Sequence, residues 1–257
     1  MLAIERRNKI LEILQKESRV VVSDLGALFQ VTEETIRRDL EKLEKEGLAK
    51  KTYGGAILAD SLSVDLPYSV RMKANVESKQ KIAKIVSDLI EDGDHIMIDA
   101  SSTAIFVAKH LKNKKNITVI TNSIEILIEL SSVAGWKVLS TGGVLKEGSL
   151  SLVGYQAEKM INTFHVDKTI VSSKGVDIKK GITDSNEMEV HIKKLMLEAA
   201  NTKILIADNS KFDKISFTKI CDLADIDVLI SDSELNDKWK QTLDSMEIDY
   251  RYDGSEE

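Results

Sequence analysis

From residue 76 onward the chain repeats one pattern: a short, almost purely aliphatic run, a few small polar residues, then an amphipathic stretch. The runs HIMIDA, ITVITN, WKVLSTGG, KTIVSSKG, TKILIADNS and DVLISD alternate with segments of helical period, among them ESKQKIAKIVSDLIED, TAIFVAKHL, SIEILIELS and GYQAEKMIN. Continuous Ile, Val and Leu belong to strands buried on both faces, and strands that alternate with helices build a mostly parallel sheet. Residues 76–257 are therefore expected to form a Rossmann-like α/β domain, closed by the helix NDKWKQTLDSM and a last strand IDYRYD.

Nearly every strand of this domain ends in small polar residues: Asp99-Ala100-Ser101-Ser102-Thr103, Thr121-Asn122-Ser123, Thr141-Gly142-Gly143, Ser172-Ser173-Lys174-Gly175, Asp208-Asn209-Ser210-Lys211 and Ser231-Asp232-Ser233. In an open parallel sheet these ends share one edge, the edge where ligands bind. Helix capping accounts for Ser123 and Ser233. It accounts less well for the lysines and for Gly142-Gly143. The turn Ser101-Ser102-Thr103 leads straight into a helix, so its N–H and hydroxyl groups suit an anion, with Lys174 and Lys211 supplying charge.

The first 57 residues have a different character. Thr32 to Leu48 reads as a helix with Ile36, Leu40 and Leu43 on one stripe, Thr32 as its cap and Gly47 at its end. The opposite face carries Arg38 and Lys45, with Thr35, Arg37 and Lys42 beside it. Before it stand a helix over residues 3–16 and a second, DLGALF, joined to the third by a tight turn at Gln30-Val31. Helix, short turn, helix is the geometry that sets the second member in a DNA major groove. After Gly47, LAKKTYGGAIL forms a small β-wing whose Lys50 and Lys51 can sit on phosphates. Residues 58–75, with the only proline, Pro67, read as a linker.

A net charge of −6 argues at first against a nucleic-acid partner. The charge is unevenly placed. Residues 1–57 hold 11 Lys and Arg against 10 Asp and Glu, whereas the remainder holds 25 against 32. A module of net +1 is weak for DNA, so more than one copy is expected to act together. One cysteine, Cys221, excludes an intramolecular disulfide and suits a reducing compartment. No apolar run reaches membrane-spanning length, so a cytoplasmic protein without a membrane partner is expected. Four scattered histidines give no metal spacing, and no dinucleotide or P-loop fingerprint surrounds Gly142-Gly143, so no metal or cofactor is expected. Trp136 and Trp239 read as packing residues, and His191, beside Lys193 and Lys194, as exposed.

The run TIRRDL at 35–40, the leucine-spaced helix, Gly47-Leu48, two basic residues and Gly54-Gly55-Ala56 resemble the amino-terminal signature of DeoR-type bacterial transcriptional regulators. Thr32 stands where that family usually has serine, and Lys51 and Tyr53 where it commonly has arginine and histidine. The resemblance implies a winged helix-turn-helix in which Thr32, Glu34, Thr35, Arg37, Arg38, Lys42, Lys50, Lys51 and Tyr53 meet double-stranded operator DNA. It continues through DASST, TVITNS, TGG, GVD…KGITD and ADNSKF, which resemble the DeoR sensor domain, a relative of ribose-5-phosphate isomerase. By that resemblance Asp99, Ser101, Ser102, Thr103, Asn122, Gly143, Lys174, Asp177, Gly181, Asp184 and Lys211 line a pocket for a phosphorylated sugar. The protein is then a homodimer or homotetramer that represses sugar-catabolic genes and releases DNA when the effector binds.

An active sugar-phosphate isomerase is the competing class. It needs a carboxylate to shuttle a proton and a cation to hold the enediolate oxygen. Asp177, Asp184, Glu187 or Glu189 with Lys180 offer the parts. However, GVDIKKGITDSNE lacks the denser acidic turn and the glycine-rich loop of the related isomerases. Binding without turnover is the expectation, so no catalytic residue is assigned.

Overall fold

The computed structural model describes residues 1–58 and 67–255, which divide into two units, Met1–Ala74 and Asn75–Glu257. In the first, α1 (Ala3–Glu17), β1 (Arg19–Val21), α2 (Val22–Phe29) and α3 (Glu33–Lys45) precede β2 (Ala49–Thr52), β3 (Gly55–Leu58) and α4 (Tyr68–Lys73). Its core is built from the stripes the sequence shows, Ile10, Leu11 and Leu14 of α1, Leu25 of α2, and Ile36, Leu40 and Leu43 of α3. The run Arg19–Val21 pairs with β3, so the wing has three strands, in the order β1-β3-β2. Gly55 makes this possible: a Cβ there would lie 1.9 Å from the Val20 carbonyl oxygen.

The linker expected over 58–75 needs correction at its end. Residues 59–66 lie outside the described residues, but Tyr68–Lys73 is a helix. It packs on α1 because Val70 is fully buried in the first unit's core and Lys73 pairs with Glu12 at 2.7 Å.

The second unit holds α5 (Val76–Leu89), β4 (His95–Ile98), α6 (Ala104–His110), β5 (Thr118–Thr121), α7 (Ile124–Leu130), β6 (Lys137–Ser140), β7 (Val144–Lys146), β8 (Ser151–Val153) and α8 (Tyr155–Ile161). Next come β9 (Val166–Ser172), β10 (Gly175–Asp177), β11 (Gly181–Asp184), α9 (Glu187–Glu198), β12 (Ala200–Ile206), β13 (Thr218–Cys221), β14 (Val228–Ser231), α10 (Asp237–Ser245) and β15 (Asp249–Tyr252). Seven strands form one parallel sheet in the order β15-β14-β12-β9-β4-β5-β6. Alternate side chains serve two cores. Met97, Ile120, Val171, Leu205 and Leu229 join Val190 and Met196 of α9 and Trp239 of α10. Their buried neighbours Ile96, Ile98, Val119, Ile170, Ile204 and Ile230 point to the other face.

Two smaller sheets lie beyond the sequence expectation, a β7–β8 hairpin and the antiparallel set β10-β11-β13. Both follow directly from the carboxyl edge of the main sheet, after β6 and after β9. No helix among the described residues is long and apolar enough to cross a membrane.

Candidate functional site

The groove-reading candidate is α3. The Thr32 hydroxyl caps it, accepting from the Thr35 N–H at 3.3 Å, and lies 2.9 Å from the Thr35 hydroxyl. Glu34, Arg37, Arg38 and Lys42 are exposed on it, and Thr35 is half-buried. Lys50 and Tyr53 are exposed on the wing, with Tyr53 at the β2–β3 turn. Lys51 is tied down: its N–H donates to Glu44 at 2.8 Å and its ammonium to Glu41 at 3.1 Å. One determinant escaped the sequence reading. Asp39, inside the TIRRDL run, is buried and accepts from Arg6 Nε at 2.5 Å, with Arg7 Nη1 at 3.6 Å, which fastens α1 to α3.

In the second unit the topology points to a single place. From β4 the chain steps outward through β5 to β6, then returns with β9 on the other side of β4 and continues through β12, β14 and β15. The carboxyl ends of β4 and β9 therefore flank the switch point, where such sheets bind ligands. Asp99, Ser101, Ser102 and Thr103 follow β4; Ser172, Ser173 and Lys174 end β9; Asn122 ends β5 beside them. Two polar atoms here are buried with no hydrogen-bond partner among the described residues, Asn122 Oδ1 and Ser173 Oγ. Buried polar atoms are almost always paired, so both atoms retain hydrogen-bonding capacity that the described residues do not use.

Beneath them sits a charged triad. Lys193 of α9, buried, places its ammonium 2.5 Å from Asp184 Oδ2, 3.4 Å from Asp99 Oδ2 and 2.9 Å from the Ser172 carbonyl oxygen. Asp99 also accepts from the Ser172 N–H at 2.8 Å, the Ser172 hydroxyl at 2.9 Å and the Ser101 N–H at 3.1 Å. Burial by itself would lower the Lys193 pKa, but Asp184 and Asp99 outweigh it and raise it above the ordinary lysine value. Burial would likewise raise Asp184, yet the charge and hydrogen bond of Lys193 hold it below the usual carboxylate range. The triad ties β4, β9, β11 and α9 into one rigid floor.

The remaining predicted residues divide by where the fold puts them. Lys174 stays at the site, its ammonium 2.8 Å from the Ser185 hydroxyl, and half-buried Lys211 follows β12 with its ammonium 3.9 Å from Asp208. Asp177 has a turn to hold: its Oδ1 accepts the N–H groups of Lys179 at 2.9 Å and Lys180 at 2.8 Å. Gly181 serves that hairpin too, at φ 78°, where a Cβ would come within 2.3 Å of the Cys221 carbonyl oxygen. Gly143, at φ 109°, lets β8 approach; its Cβ would meet the Val153 carbonyl oxygen at 2.6 Å.

Ser123 caps α7, accepting from Ile126 N–H at 3.2 Å. The cap assigned to Ser233 is instead Asn236, which accepts from Trp239 N–H, while the Ser233 carbonyl accepts from the Tyr250 hydroxyl. His191 is exposed, but its neighbour Lys193 is buried. The signal for it was present in the sequence. Lys193 falls with Val190 and Leu197 at i, i+3 and i+7, on the apolar stripe of α9. The β7–β8 hairpin adds a further polar cluster beside Asn122: Ser151 donates to Glu189 at 2.8 Å, the Ser149 hydroxyl lies 2.7 Å from that of Ser151, and the Lys146 ammonium lies 3.8 Å from the Glu189 carboxylate. Among the described residues, no group of three or more His, Cys, Asp or Glu is placed to hold a metal ion.

Residues 6–62 match the DeoR-like helix-turn-helix domain, and residues 74–233 match the DeoR C terminal sensor domain. The chain belongs to the DeoR family. Its DeoR relatives include the uncharacterised HTH-type transcriptional regulator YulB of Bacillus subtilis, 43% identical over 96% of both chains. The HTH-type transcriptional repressor GlcR of Bacillus subtilis is 37% identical over 93% of this chain and 92% of its own. The L-fucose operon activator of Haemophilus influenzae is 31% identical over 95% and 97%. DeoR membership makes this chain a DNA-binding transcriptional regulator and not an isomerase. Of the carboxylates weighed for isomerase chemistry, Asp177 holds a turn and Asp184 pairs with Lys193.

Proposed function

We propose that this DeoR regulator represses a sugar-catabolism operon and leaves its operator when a phosphorylated sugar enters the switch-point cleft. Thr32, Glu34, Thr35, Arg37, Arg38 and Lys42 meet the major groove, and Lys50, Lys51 and Tyr53 of the wing meet the backbone beside it. A module of net +1 needs repetition to bind firmly, which supports action as a homodimer or homotetramer on a repeated operator. The relative named for an L-fucose operon supports a sugar-linked target.

The observation that carries the effector reading is the pair of buried, unpartnered atoms, Asn122 Oδ1 and Ser173 Oγ, at the switch point. A sugar hydroxyl donates to the first and pairs with the second. The phosphate takes the Ser101–Thr103 turn, with Lys174 and Lys211 nearest in charge. Asp99 and Asp184 act through the triad, holding the floor on which these groups stand. For the effector to change DNA affinity it must bind two conformations of the protein unequally.

Thermal unfolding of the full-length protein against a panel of sugar phosphates tests this reading. One compound should raise the midpoint in a concentration-dependent way, and Asn122→Ala with Ser173→Ala should remove that rise while DNA binding stays. A stabilising compound that acts equally on the double variant places the pocket elsewhere.

A further inference from the structure

Three cations on and beside the reading face of α3, Arg37, Arg38 and Lys51, are held by carboxylates of that same helix. Arg37 Nη2 lies 2.7 Å from Glu33, Arg38 Nε 3.2 Å from Glu34, and the Lys51 ammonium 3.1 Å from Glu41. Glu41 is drawn below its ordinary carboxylate value, first by the Lys51 hydrogen bond and then by its charge. Exposed pairs of this kind add little to the stability of a fold. Stability is thus a poor reason for three of them on one face, and their charge matters more against a polyanion.

We propose that Glu33, Glu34 and Glu41 set operator specificity by masking Arg37, Arg38 and Lys51 from phosphates of unspecific sequence. The inference rests on α3 being the groove-reading helix. On any duplex, an arginine that turns to a phosphate must leave its glutamate and bring that carboxylate near the DNA backbone. The electrostatic gain that drives unspecific binding is largely cancelled. Only where base edges reward the guanidinium with paired acceptors does the exchange favour binding. The near-neutral charge of the first unit then works as discrimination: unspecific DNA gains little, and the operator keeps its lead.

The test uses the full-length protein, a duplex of scrambled sequence and the DNA upstream of its own operon, each titrated from 50 to 200 mM salt. Glu33→Gln/Glu34→Gln should bind the scrambled duplex roughly tenfold more tightly at 50 mM salt. Its plot of log K against log salt should steepen by about one to two, each freed cation neutralising one more phosphate. The ratio of operator to scrambled affinity should fall. Glu41→Gln, which leaves the start of α3 untouched, should act in the same direction through Lys51. Unchanged scrambled-duplex affinity and slope in both variants overturns the proposal, provided that Arg37→Ala/Arg38→Ala still weakens operator binding. If that arginine variant binds as the wild type does, the groove-reading assignment of α3 falls first and the masking proposal with it.

Discussion

Replacing Lys193 by Met removes the ammonium that lies between two buried carboxylates and keeps the volume. Asp184 is 4% exposed and Asp99 1%, and each loses the ammonium now at 2.5 and 3.4 Å. Breaking a buried ion pair from one side costs about 3–5 kcal/mol, because the stranded charge keeps its desolvation penalty. For a unit of this size that is a fall in Tm of roughly 10 °C. Both tryptophans, Trp136 and Trp239, lie in the second unit, so tryptophan fluorescence follows that unit alone during unfolding.

The loss should depend on pH. The raised pKa of Lys193 makes its contribution complete below the unfolded value of about 10.4 and lost only at higher pH. The depressed pKa of Asp184 makes its contribution complete above about 3.9 and lost as pH falls through the folded value. Wild-type stability from the triad is therefore flat around neutrality. In Lys193→Met a stranded carboxylate picks up a proton on acidification, so the deficit should shrink between pH 7 and pH 5. Adding Asp184→Asn should restore part of the loss. A deficit under about 1 kcal/mol at pH 7, or one that grows in acid, refutes the account of the triad.

Three further outcomes follow from the same geometry. Arg6→Ala should cost the first unit about 2–3 kcal/mol in urea unfolding, less than a full orphaning because Arg7 stays 3.6 Å from Asp39; it should weaken DNA binding although Arg6 is buried. Gly55→Ala should destabilise the wing by more than about 3 kcal/mol, since its Cβ overlaps the Val20 carbonyl, and the loss should show as fast amide exchange in β1 and β3. Ser102→Ala with Lys211→Ala should abolish the effector response and leave operator affinity within about twofold, read by fluorescence anisotropy on labelled DNA.

The long parallel strands and the amphipathic helices were legible because burial on two faces, or on one stripe, writes itself into composition at a fixed period. The small sheets were not. Val144–Lys146, Gly175–Asp177 and Gly181–Asp184 are three or four residues long, too short to show a period, and β11 also pairs with β13 more than thirty residues on. Tyr68–Lys73 was hidden for a similar reason: six residues show no period, and Val70 earns its place only by meeting α1.

At the site, the strand-end residues could be read from the repeated polar ends, since a parallel sheet collects those ends on one edge. Their division of labour could not. Nothing in GVDIKKGITD distinguishes an aspartate that holds a turn from one that meets a buried lysine; that distinction depends on α9 crossing beneath β9. Lysine in an apolar stripe is the one local clue, and it reads as a surface residue until two aspartates are seen facing it. Arg6 and Asp39, 33 residues apart, give no local clue at all.

Binding of the full-length protein to the DNA upstream of its own operon, titrated with and without sugar phosphates, tests the central claim most directly. The account predicts tight, salt-sensitive binding that one phosphorylated sugar relieves, and that Asn122→Ala/Ser173→Ala makes indifferent to that sugar. DNA binding that no phosphorylated sugar alters would contradict the effector assignment, and absence of binding to that DNA would contradict the operator assignment itself.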